Sequence, residues 1–104
     1  MATGILGQAA PAAITNTTVY TVPVSKVGTF NISVTNTIPG SIINCRIALA
    51  ATGTPSTSEY IEYDTPIPAF GVLERGGIVA NAGKNVVVYA SLAGLSVTVY
   101  GYEE

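Results

Sequence analysis

The chain has 104 residues, only 10% of them charged, with no histidine, one cysteine and a formal net charge of −2. Without His there is no imidazole base for nucleophilic catalysis, and with a lone Cys there is neither an internal disulfide nor a Cys/His metal cluster. Four basic residues, Lys26, Arg46, Arg75 and Lys84, are too few and too scattered to neutralise phosphates, and no apolar run approaches the ~20 residues of a membrane span.

The N-terminus lacks the basic start and apolar block of a signal peptide, so the expected site of synthesis is a cytoplasm. The length suits one domain with a single core, and no linker or internal repeat divides it. Residues 1–16 are rich in Ala, Thr and Gly and follow neither a period of 2 nor one of 3.6. They read as a flexible N-terminal arm whose apolar points are Ile5, Leu6 and Ile14, with the sandwich domain expected over 17–104.

The first clear strand covers 17–22 and stops at Pro23, which has no N–H to give a ladder. Phe30, Ile32 and Val34 then alternate with Asn31, Ser33 and Thr35, one face for the core and one for water. After the Pro39-Gly40 turn, Ile43, Cys45, Ile47 and Leu49 repeat the pattern, which points Cys45 inward as a small hydrophobe. Glu59-Tyr60-Ile61-Glu62-Tyr63-Asp64 is a short strand that Pro66 and Pro68 are expected to end. Three further strands lie in 70–79, 81–90 and 95–102, and the last faces Val97 and Val99 one way and Thr98, Tyr100 and Tyr102 the other. Seven or eight short strands with turn residues about every 8–12 positions and no helical period give an all-β class. The expected architecture is a single-domain antiparallel β-sandwich of Ig-like or jelly-roll type, with a closed barrel as the alternative.

Chemistry is sparse. Glu62 and Asp64, two apart beside Tyr60, would place carboxylates about 7 Å apart on one strand face, a spacing that suits a Ca²⁺ site or a glycosidase pair; solvated charges at a strand end account for them as well. No enzymatic activity, cofactor or resident metal is expected. Tyr100 and Tyr102 share a face, either as an interaction surface, for which Tyr combines an apolar body with a polar tip, or as half-buried sheet packing. A sheet protein this poor in charge lacks the usual protection against edge and face association, which points to a surface covered in the working state.

Four segments, Val19-Tyr20-Thr21-Val22-Pro23, Glu59 to Asp64, Gly71-Val72-Leu73-Glu74-Arg75-Gly76-Gly77-Ile78-Val79 and Val97-Thr98-Val99-Tyr100-Gly101-Tyr102-Glu103-Glu104, taken as an ordered set resemble small virion structural proteins of tailed bacteriophages. The resemblance covers 19–104 and leaves the arm outside. It implies a β-sandwich without enzymatic activity, located in the virion and assembled in the host cytoplasm. Its implied partners are the major capsid protein lattice and copies of itself, as a trimer. Within that group the first expectation is a capsid decoration (cement) protein that strengthens the head. The alternative is a tail, fibre or baseplate module that recognises host carbohydrate through Tyr60, Glu62, Tyr63 and Asp64.

Overall fold

A computed structural model describes residues 3–104, and all its regular elements but one are strands. They are β1 (Thr3–Ala9), β2 (Thr17–Thr21), β3 (Gly28–Asn36), β4 (Ile43–Ala50), β5 (Tyr60–Ile67), β6 (Val72–Ala80), β7 (Asn85–Ala90) and β8 (Leu95–Glu103), with a single 3₁₀ turn at Thr57–Glu59. They build two four-stranded sheets, β1-β8-β3-β6 and β2-β7-β4-β5, in which every neighbouring pair is antiparallel. The molecule is a β-sandwich, and this strand order is that of the jelly roll.

The period-two segments form the layer between the sheets. Burial alternates strictly along β3, where Phe30, Ile32 and Val34 point inward to meet Ile43, Cys45 and Ile47 of β4 and Leu95, Val97 and Val99 of β8. Leu49 is only half-buried at the margin of this core.

The N-terminal segment departs from the sequence expectation. Thr3–Ala9 is not an arm but the edge strand of the first sheet, paired with β8 from Thr3↔Tyr102 to Ala9↔Val97. The irregular pattern that hid it has a physical cause. A bulge between Ile5 and Gly7 shifts the register, which sends Ile5 to solvent and packs Leu6 against the core. Gly7 permits this course, because a Cβ there would lie 2.2 Å from the Val19 carbonyl oxygen. Residues 1 and 2 of the expected arm lie outside the described residues. Its last part, 10–16, is the β1–β2 connection, where the Ile14 N–H donates to the Ala90 carbonyl at 2.8 Å. Strand β5 likewise runs past Pro66 to Ile67; β5 is an edge strand, where a residue without N–H is tolerated.

Each open side of the sandwich carries one polar clasp. On the β1/β2 side, the Tyr20 hydroxyl donates at 2.6 Å to Glu103, and both groups are buried. Burial, followed by the Glu103 hydrogen bond and its charge, raises the Tyr20 pKa above its ordinary value. On the β5/β6 side, Arg75 Nη1 donates to Glu62 Oε2 at 2.9 Å, joining the two sheets through an accessible ion pair. Cys45 lies beneath Glu62; burial first and that carboxylate second push its thiol up to about 12, so it has none of the thiolate character of a reactive cysteine.

Candidate functional site

The six expected contact residues divide between the two outer faces of the sandwich, with one exception. Tyr100 and Tyr102 lie on the outer face of the first sheet, opposite the inward Val97 and Val99. Tyr60, Tyr63 and Asp64 lie on the outer face of the second, while Glu62 points into the layer between the sheets.

Two bulges in β5 separate Glu62 from Asp64. Ala48 pairs with Tyr60, Ile47 with Glu62 and Cys45 with Thr65, so Glu62 shares the inward side with Ile47, whereas Tyr63 and Asp64 together oppose the outward Arg46. Asp64 sits at φ 50°, the left-handed conformation of a bulge residue. The two carboxylates therefore do not share a face, as a Ca²⁺ site or a glycosidase pair there would require. Each has its own partners: Glu62 takes Arg75 and the Thr65 hydroxyl, and Asp64 takes Arg46. Among the described residues no group of three or more His, Cys, Asp or Glu side chains is placed to hold a metal ion.

On the second face the guanidinium of Arg46 is clamped. It lies 4.3 Å from the Tyr63 ring centroid and 4.4 Å from that of Tyr89, and its Nε donates to Asp64 at 2.6 Å. The Asp64 hydrogen bond raises the Arg46 pKa above its ordinary value. Tyr60 meets Tyr63 edge-on at 4.9 Å and covers Ala48, Ala50 and Val87, which are buried although they point away from the sandwich interior. The 51–58 loop is pinned beside it: Glu59 accepts from the Ala51 and Ser56 N–H groups at 2.9 and 2.8 Å, and Gly53 comes to rest near Thr18. These backbone bonds lower the Glu59 pKa. Sequence reasoning missed Arg46 and Tyr89, whose only signal was their outward position on strands not known to be neighbours.

The first face has no such cover. Tyr100 lies between Ile5 of β1 and Asn31 of β3, and Tyr102 between Thr3 and Thr29. Gln8, Thr98 and Ser33 continue the surface, and Glu74 is its one charged side chain. The face is hydroxyl-rich and open.

Comparison with known proteins finds no matching family model, no matching curated protein and no matching solved structure.

Proposed function

We propose that this chain is a non-enzymatic virion structural protein of a tailed bacteriophage, a capsid decoration or cement protein that binds the head shell and stabilises it. The observation that carries the reading is the bare outer face of the first sheet, where Ile5, Tyr100 and Tyr102 stand exposed among uncharged neighbours. A monomer gains nothing from such a surface, whereas aromatic and small hydroxyl side chains are common in protein interfaces. The distribution of charge supports the same reading. Arg46 with Asp64, Arg75 with Glu62, Glu103 with Tyr20 and Glu59 with its loop all work inside the fold, leaving Lys26, Glu74, Lys84 and Glu104 to the surface.

The mechanism is linkage. A protein that binds the assembled shell and not its dissociated subunits shifts the assembly equilibrium by mass action. On the shell, copies associate with one another through this open face, as a trimer in the form the resemblance implies. The alternative, a tail or fibre module that binds host carbohydrate, draws on Tyr63, which is 58% exposed beside Asp64. Against it, Arg46 already lies over one face of Tyr63 and over Tyr89, the surfaces on which a sugar would stack. Jelly rolls occur in both capsid and lectin domains, so the fold does not choose between the two.

The test compares particles assembled with and without the protein. On the cement reading, particles lacking it release DNA at a lower temperature than complete ones, and the protein purifies with heads. Equal release temperatures, or copurification with tails alone, would reject that reading and leave the recognition module.

A further inference from the structure

The two ends of the sandwich differ in composition. Nine-residue strands rise about 30 Å, so the 43 Å dimension of the molecule runs along the strands and the 27 and 19 Å dimensions bound its ends. One end gathers Thr3 and the C-terminal Glu104, which is hydrogen-bonded to Val27, and carries Lys26, Lys84 and Glu59 beside Val24. The other end is built from four loops, 10–16, 37–42, 68–71 and 91–94, which contain no charged residue. From this apex project Ile14, Phe70, Ile42 and Leu92, exposed by 72, 68, 62 and 45%.

Two observations mark the apex as a built surface. Ile14 and Phe70 hold left-handed backbone conformations, φ 53° and 60°, which are unfavourable for a β-branched or bulky side chain, and in both cases the strained residue points outward. The loops are also tied into one unit. The fully buried Asn36 amide donates to the Ser41 and Ile67 carbonyls, its oxygen accepts from the Ile38 N–H, and its own N–H reaches Gly71. Thr37 bonds Gly94, Ser91 bonds Asn44, and the Ile14 N–H bonds Ala90. The four apolar side chains thus stand on loops that are hydrogen-bonded to one another or to the strand ends, which lowers the backbone ordering cost of an interface.

We propose that this apex is the surface through which the protein docks on the shell, its four apolar side chains entering an uncharged apolar depression of the capsid protein. The inference rests on the shell-binding reading above and assigns it a contact. Shape favours such a partner over a second copy: the apex is a set of projecting loop tips, and the described residues of the chain form no pocket that could receive them, while the open tyrosine face is left to join neighbouring copies. A bilayer is disfavoured because loop backbone is costly in hydrocarbon and because neither Trp nor a basic residue flanks the tips.

The test uses purified protein added to particles assembled without it, with cosedimentation as the readout. The double variant Ile14→Asn/Phe70→Asn replaces both side chains with a residue that tolerates the left-handed conformation, so its thermal midpoint should equal or exceed the wild type. Its affinity for heads should nevertheless fall by about tenfold or more, while Leu92→Ser alone gives a smaller loss. If wild type and double variant bind heads equally, the apex assignment fails and the shell reading stands. If wild-type protein does not bind heads at all, the shell reading fails and the apex assignment with it. Loss of self-association in place of head binding would assign the apex to a second copy, and wild-type binding to phosphatidylcholine vesicles without head binding would assign it to a bilayer; either result overturns the proposal.

Discussion

The outer faces of the two sheets started from similar sequence, alternating strands with Tyr, Thr and Asn outward, and reached opposite states. On the second sheet the chain completes its own surface: Tyr60 packs over the buried Ala48, Ala50 and Val87, and Arg46 is held among Tyr63, Tyr89 and Asp64. On the first sheet Tyr100, Tyr102 and Ile5 have no covering element, and the hydroxyl-rich rows beside them stay open. A side chain whose contacts lie within the fold contributes to stability, and one whose contacts are missing is available to a partner. The same residue type, tyrosine, thus has different work on the two faces.

The contrast predicts where mutations act, beginning with the largest effect on stability. Arg46→Ala removes two cation–π contacts and an ion pair at a partly exposed site, and after allowance for solvent screening it should cost about 1–2 kcal/mol in denaturant unfolding. A loss indistinguishable from zero would show that the second face is not closed by this cluster. Glu59→Gln should cost less and in a pH-dependent way. Because the folded state lowers the Glu59 pKa, its contribution is present above the unfolded value and disappears as pH falls through the folded one. Wild type should therefore be the more stable at neutral pH, with the gap to Glu59→Gln closing in acid; a gap that stays constant across the carboxylate range would refute the loop-pinning role. Tyr100→Ser with Tyr102→Ser should do least to stability, within about 0.5 kcal/mol for each surface change. The same pair should reduce self-association in sedimentation, and if the oligomeric state is unaltered the open face is not the contact between copies.

The sequence by itself determined the all-β class, the order and approximate places of the strands from 17 onward, though not the end of β5 or the start of β7, and the inward faces of β3, β4 and β8. Period-two alternation is local, and Phe30, Ile32, Val34, Ile43, Cys45, Ile47, Val97 and Val99 declare their side of a strand whatever lies next to it. It also set Tyr100 and Tyr102 together on the face opposite Val97 and Val99. Tertiary structure alone decided which strands are neighbours. That pairing made Thr3–Ala9 an edge strand, through a bulge and the close approach of Gly7 to Val19, where composition suggested a free arm. It also divided Glu62 from Asp64, because two bulges in β5 reverse the alternation that would have put both on one face. The clasp of Tyr20 on Glu103, 83 residues apart, and the gathering of four uncharged loops around Asn36 depend on contacts between distant segments. Residue spacing encodes which face a side chain takes, but not what that face will meet, since the meeting partner is set by sheet order and by bulges whose cost and benefit are settled only when the strands pack.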